Sequence, residues 1–396
     1  MKNGVEIIKL PRVLLIHNLP TPYRTDLFNR VSSILLENNI DFIVLFQVAK
    51  TKRRNLWIGT QNDFKFKFYI SKTIPPNQES QFLRIPSRPL KELRRNFPSV
   101  IIATGFNVHT LAALLYTRLY NIPLIIWTGE KEIRGYYKYL RVAIRKFILK
   151  YTSHLFIYGT ASENFYQKKF KYPKLNMTKI LNVIPVRHEI DVSERIRSKT
   201  HILSEGQLIL LFVGDLIKNK GIYLIPYLLK SITLMASKYA VNLKIIGEGS
   251  ERKTLYESLL SERLNRYVQF LGKIPNSEVL KEMATSHFLL FPTLGDTWGH
   301  VITEAFCVGT PVLTSRFAGA VPDMLSENKN GFVVDFNEPL QVAEKIYQII
   351  TNPSEYEKMC KSSVRSYHEL FNSLDNAQTM VNVIMQHIKK RKSMTQ

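Results

Sequence analysis

Residues 292–315 read PTLGDTWGHVITEAFCVGTPVLTS, and the order of features in them decides the fold class. An apolar run, Phe288–Phe291, comes just before and has the length of a buried strand. A loop follows with Gly295, Asp296 and Gly299. Thr303–Val308 then reads as a helix and Pro311–Thr314 as a second strand. Strand, loop, helix and strand in that order form the unit from which parallel sheets with covering helices are built. The helix opens near Gly299–His300 and carries Glu304 on its first turns. A helix start presents unpaired N–H groups and the positive end of a dipole, so it suits a phosphate. Asp296 and Glu304 add acceptor oxygens that suit sugar hydroxyls.

The same alternation runs outward in both directions. After 206 the spacing predicts strands at Leu208–Val213, Asn242–Ile246, Val268–Phe270 and Gly331–Val334, with helices at Gly221–Tyr239, Arg252–Leu264 and Ser277–Ala284. Toward the N-terminus it predicts strands at Val13–His17, Asp41–Phe46, Val100–Ala103, Pro123–Trp127 and Leu155–Tyr158. Helices are expected at Thr25–Asn38, His109–Tyr120 and 132–151. The charged stretch 187–205 reads as a linker. The expected organisation is an N-terminal domain over 1–186, a C-terminal domain over 206–374 and a final helix in 375–396.

The length of 396 residues and the 45% apolar content suit two globular domains. Two cysteines, Cys307 and Cys360, make neither a disulfide framework nor a zinc site. No leader-like apolar core precedes Lys9, and no apolar run reaches membrane-spanning length, which points to a cytoplasmic protein. Charge is uneven: residues 1–185 hold 30 Lys/Arg against 10 Asp/Glu, whereas 186–396 hold 25 against 22. A basic half points to a polyanionic partner such as nucleic acid, anionic lipid or an acidic lipid-linked substrate. No nucleic-acid-binding signature accompanies it, so nucleic acid is not the expected partner.

The Asp296-to-Glu304 spacing resembles the E-x7-E signature of the retaining GT-B glycosyltransferases of family GT4, with Asp at the first position, and AFCVGTPVLTS resembles the run that follows it there. FVGDLIKNKG (212–221) resembles VGRLxxxKG, KIIGEG (244–249) resembles LxIxGxGP, and VQFLGKI (268–274) resembles VxFxGxV. The resemblance implies a GT-B fold: α/β, two Rossmann-like domains with parallel sheets facing across a cleft. It also implies transfer from a nucleotide-diphosphate sugar with retention of configuration. By that resemblance Glu304 binds the ribose and Asp296 meets the transferred sugar as a catalytic residue. Gly299, His300 and Val301 hold the diphosphate, and Lys220 beside Gly214 neutralises it. Lys273 and Ile274 approach the base, and Trp298 either stacks on the donor or packs beneath the loop. The family's usual Arg is Asp215 here, a charge reversal: either another cation serves, with Lys218 and Arg316 as candidates, or catalysis is impaired.

In the first half, HNLPTPYRTDLF (17–28) resembles a segment of the GT4 subgroup that decorates bacterial surface polysaccharides. It places Arg24 at a strand-end loop as an acceptor-binding candidate. His109 is a second such candidate. Glu130, in WTGE (127–130), is a catalytic candidate for orienting or activating the acceptor, with pairing to Arg134 as its structural alternative. Residues 131–151 place Arg134, Lys138, Arg141 and Arg145 at helical spacing and Tyr136, Leu140, Ala143 and Phe147 on another face, which suits an anionic membrane surface at the inner face of the plasma membrane. Lys50–Arg54 adds a second basic run. No D-x-D occurs, so neither metal nor cofactor is expected, and the acceptor is expected to be a glycan or lipid-linked. The alternatives are a nucleotide-sugar epimerase of the same fold and a non-enzymatic polyanion- or nucleic-acid-binding protein.

Overall fold

The computed structural model describes residues 10–49, 63–74, 84–182, 186, 189–372 and 375–395. The basic run Lys50–Arg54 lies outside them. The chain divides into two units, the first made of residues 1–181 with 375–396 and the second of 182–374.

The first unit is a seven-stranded sheet in which every neighbouring pair is parallel. Its strands are β1 (Arg12–His17), β2 (Asp41–Phe46) and β3 (Lys67–Ile70), then, beyond a two-stranded ribbon of β4 (Thr73–Ile74) and β5 (Ile85–Pro86), β6 (Val100–Thr104), β7 (Leu124–Thr128), β8 (His154–Ile157) and β9 (Met177–Lys179). The order β3-β2-β1-β6-β7-β8-β9 reverses direction between β1 and β6. Such runs as VLLI and VIIA are apolar on both faces, as a strand covered by helices on both sides requires. Val13 and Leu15 enter one core, Leu14 and Ile16 the other.

The covering helices are α1 (Pro22–Glu37), α2 (Pro89–Asn96), α3 (Val108–Leu119), α4 (Lys138–Lys150) and α5 (Thr160–Phe170). Pro22 opens α1 at a position where its missing N–H costs nothing. Asn107 caps α3 by accepting from the Thr110 N–H at 3.2 Å. The helix expected over 132–151 starts only at Lys138, because Gly135 takes a left-handed φ of 97° just before it.

The second unit carries a six-stranded parallel sheet ordered β12-β11-β10-β13-β14-β15. The strands are β10 (Gln207–Val213), β11 (Ala240–Ile246), β12 (Val268–Gly272), β13 (Phe288–Phe291), β14 (Val312–Thr314) and β15 (Gly331–Val333). Its helices are α6 (Val192–Ser204), α7 (Ile225–Met235), α8 (Arg252–Ser261), α9 (Asn276–Thr285), α10 (His300–Cys307), α11 (Val321–Met324), α12 (Pro339–Ile350) and α13 (Pro353–Asn372). The expected linker over 187–205 is therefore mostly helix α6. Asp191 caps it, and Ile196 and Leu203 sit in the core of the second unit. Buried Lys199 donates to the Gly309 carbonyl at 2.8 Å and to Thr310 at 3.0 Å. The count of charges in this stretch hid the apolar face that anchors it.

The chain ends in α14 (Asn376–Thr395), which belongs to the first unit. Ala377, Met380, Val381, Ile384 and Ile388 share a core with Val13, Phe28, Val31 and Leu35. Asn376 donates to the Leu181 carbonyl at 2.9 Å, and Asp375 pairs with Arg30 at 3.2 Å.

Candidate functional site

In the second unit the strand order reverses between β10 and β13, and in open parallel sheets ligands bind beyond the strand C-termini at that point. Two loops meet there. Gly221 has a left-handed φ of 69°, and a Cβ on it would collide with the Pro292 carbonyl oxygen. Asn219 fastens the same approach: its carbonyl accepts from the Leu294 N–H at 2.9 Å and its amide donates to the Gly295 carbonyl at 2.7 Å. This close pairing sets Lys220 against Asp296, with Nζ 2.5 Å from Oδ2 and 5.3 Å over the Phe291 ring.

Burial alone would raise the Asp296 carboxyl. The charge and hydrogen bond of Lys220, the Trp298 N–H at 3.2 Å and the charge of His300 outweigh it and hold the group below its ordinary range. The loop is pinned from the far side, where the Asp296 N–H reaches the Phe317 carbonyl and the Gly319 and Ala320 N–H groups reach the carbonyls of Asp296 and Trp298. Gly299, with φ 100°, turns the chain into α10, so that His300 and Val301 begin the helix beside Asp296. Asn182 Nδ2 lies 3.2 Å from His300 Nε2. Glu304, one turn on, is 4% exposed, and burial pushes its carboxyl up to about 7.

The structure thus gathers Gly214, Lys220, Asp296, Gly299, His300 and Val301, with Glu304 on the same helix. The Lys220 side chain passes over Gly214. Gly214 continues to Lys273 and Ile274 along the strand ends: the Gly214 N–H meets the Ile246 carbonyl and the Gly247 N–H meets that of Gly272. Trp298 is buried, so its indole packs beneath the loop and does not offer a face for stacking. Asn219 carried no motif signal of its own. Its role follows only from the closeness that Gly221 permits.

In the first unit, Arg24 lies 4.2 Å over the Trp127 ring and 5.2 Å over Tyr158 at the strand ends. Glu130 is not poised as a base. Arg145 grips it through both carboxylate oxygens, with Nε 2.7 Å from Oε2, and the Tyr166 hydroxyl adds a contact at 3.3 Å. The alternative partner, Arg134, binds Glu132 instead at 2.6 Å. His109 is buried at the start of α3, with Nε2 3.4 Å from Ser71. Burial and the Arg84 charge push its pKa down to about 4, which leaves it neutral at pH 7. Arg145 also leaves the expected cationic face of α4, since its side chain is buried.

The model of the family described as glycosyl transferases group 1 matches residues 193–366, a span that holds Lys220, Asp296 and Glu304. Residues 193–366 are a group 1 glycosyltransferase domain. The chain that carries it is accordingly a glycosyltransferase. It is 24% identical over 312 residues to an uncharacterised glycosyltransferase of Haemophilus influenzae, covering 76% of this chain and 81% of that one. It is 28% identical over 170 residues to the capsular polysaccharide biosynthesis glycosyltransferase CapM of Staphylococcus aureus, covering 41% and 42%. Among solved structures, Anabaena HepE in complex with UDP matches with a TM-score of 0.71 and 14% identity over 95% of this chain and all of that one. WaaG, a glycosyltransferase involved in lipopolysaccharide biosynthesis, matches with a TM-score of 0.62 and 15% identity over 94% and 99%. These likenesses identify the GT-B fold of the glycosyltransferase.

Proposed function

We propose that this glycosyltransferase binds a nucleotide-diphosphate sugar at the strand ends of its second unit and transfers the sugar, with retention and without a metal, to a hydroxyl of a glycan or lipid-linked acceptor held by the first unit. The observation that carries the reading is the Lys220–Asp296 pair beside the N-terminus of α10, with Glu304 buried in the same helix. Glu304 accepts from the ribose hydroxyls. The first N–H groups of α10 take the diphosphate, and Lys220 leaves Asp296 to neutralise it. Asp296, released, accepts from the hydroxyls of the sugar. The bond from the anomeric carbon to the diphosphate oxygen then breaks, the acceptor oxygen bonds to that carbon on the same face, and the acceptor proton passes to the departing diphosphate.

UDP is the first nucleotide to test, because the similar HepE binds it. Thermal shift with UDP-, GDP- and ADP-sugars in EDTA is expected to single out one nucleotide class, with the shift lost in Glu304→Ala. Stabilisation that requires Mg²⁺ would remove the metal-independent reading, and none by any nucleotide would remove the donor site itself.

An anionic membrane surface at the inner face of the plasma membrane is proposed as the place where the first unit works. Tyr136, Tyr137 and Tyr139 are exposed, as are Leu140 and Phe147, and Lys138, Lys146 and Lys150 project from the same short segment. No helix among the described residues is long and apolar enough to cross a membrane.

A further inference from the structure

A titratable side chain at the donor site has no part in the transfer as proposed. His300 opens α10 directly after the Gly299 turn. Its Nε2 lies 3.2 Å from Asn182 Nδ2. An amide nitrogen only donates, so Nε2 accepts there and carries no proton. Asn182 is buried and is the first residue of the second unit, so ring and amide are held within one body. The charge of His300 reaches Asp296, which puts the imidazole within range of the charges at the site. The other ionisable groups around it among the described residues are Lys220, which faces Asp296, and Glu304, one turn along α10.

The charge balance at these strand ends changes when a donor arrives. Without one, Lys220 and Asp296 cancel. An imidazolium at the first position of α10 would then face the positive end of the helix dipole, which favours the neutral ring that Asn182 holds. A diphosphate diester brings a pair of negative charges. Lys220 meets one of them, Asp296 loses its partner, and Asp215 beside Gly214 adds a further carboxylate. Lys218 and Arg316 are exposed, so water and salt screen them. An anion within about 4–6 Å favours the charged form of a base, and imidazole is the side chain that such a push carries across neutral pH. Asn182 suits both states. Turned half a rotation, its amide presents Oδ1, which accepts from a protonated Nε2.

We infer that His300 takes up a proton when the diphosphate binds and joins Lys220 in neutralising it, and that Asn182 positions the ring, as donor to its neutral form and as acceptor from its charged form. The inference rests on the proposed donor site and specifies how that site matches the charge of its substrate.

Calorimetry at neutral pH in buffers of different ionisation enthalpy counts the protons. The probes are UDP-, GDP- and ADP-glucose, whose diphosphates carry no group that titrates near pH 7. With the probe that binds, wild type is expected to take up about half a proton more than His300→Gln. The bound state holds the proton more tightly, so affinity is greatest at low pH and declines as pH rises. Between about pH 6 and pH 8 wild type should lose roughly tenfold more affinity than His300→Gln. Taking the difference removes Glu304, whose carboxyl both proteins share. Asn182→Asp gives a second readout. A carboxylate there keeps His300 charged before the donor arrives, so proton uptake should fall by a similar amount and the pH profile should flatten, whatever the affinity itself does. If one variant does not fold, the other decides. Equal uptake in wild type and His300→Gln, or undiminished uptake in Asn182→Asp, would overturn the inference and leave the donor site standing. No binding of any of the three probes would remove the donor site and this inference with it.

Discussion

Asp296 and Lys220 neutralise one another in the unliganded protein, and that fixes the sign of what each substitution does. Asp296→Asn removes the partner that Lys220 must leave when a diphosphate arrives. UDP is expected to bind Asp296→Asn as tightly as wild type or more so, while turnover falls on the order of 100-fold through loss of the contact to the sugar. Calorimetry and steady-state kinetics separate the two, and weakened UDP binding would show that Asp296 holds the nucleotide itself. Glu304 gives a pH signature. Its folded pKa, about 7, lies above the ordinary 4.5, so the folded unit holds the proton more tightly than the unfolded chain does. The favourable contribution is full below 4.5 and is lost as pH rises through 7. Glu304→Gln should therefore stabilise the second unit by up to about 3 kcal/mol at pH 8 and by little at pH 4. Chemical denaturation at the two pH values reads this, and equal effects at both would mean that the carboxyl is not buried as described. The residues proposed for the donor stood out in the sequence because Gly221, Gly299 and the Asp296-to-Glu304 interval form a pattern along the chain. Asn219 did not, since a single amide in a loop carries no spacing and becomes notable only once the close approach that Gly221 permits is known.

Helix α4 separates what periodicity can tell from what it cannot. Spacing of 3–4 residues assigned Arg141 and Arg145 to one cationic face, but spacing does not say which face turns inward. Arg145 turns inward because Glu130 waits at the end of β7 and Phe106 lies 5.0 Å beneath the guanidinium. The outward face keeps Lys138, Lys146 and Lys150 among the exposed aromatic residues. Reversing those three charges to Glu is expected to reduce partition onto phosphatidylglycerol vesicles more than tenfold, at roughly 1 kcal/mol for each basic residue near the surface. Phosphatidylcholine should bind neither protein well. Sedimentation with each vesicle decides it, and undiminished binding of the Glu variant to the anionic vesicles would remove α4 from the membrane reading. Edge strand β3 escaped the sequence reading for a related reason. It is half-exposed and mixes Lys67 with Phe68 and Tyr69, so its apolar signal is weak.

At the scale of the molecule, the first unit is assembled from two distant pieces of chain. α14 brings Ala377, Met380, Val381, Ile384 and Ile388 onto α1 and the sheet beneath it. Each large apolar side chain so buried stabilises by about 1.5–3 kcal/mol, and the sum is comparable to the whole stability of an ordinary domain. Removing 375–396 should unfold the first unit and leave the second folded. Hydrogen exchange would then show lost protection in β1 and β2 and native protection in β10 and β13. Protection retained in β1 would show that α14 is dispensable. The apolar period of α14 is readable in the sequence, but its docking on residues more than 300 positions earlier is not, because an amphipathic stripe names no partner.

That division of the first unit also orders events during synthesis. Residues 182–374 form a continuous unit and can fold as soon as they leave the ribosome. The preceding 181 residues meet α14 only after the whole second unit has been made. Throughout that interval the apolar surface around Phe28, Val31 and Leu35 lacks its cover, so the nascent first unit is the part of this chain most exposed to aggregation and most in need of a chaperone.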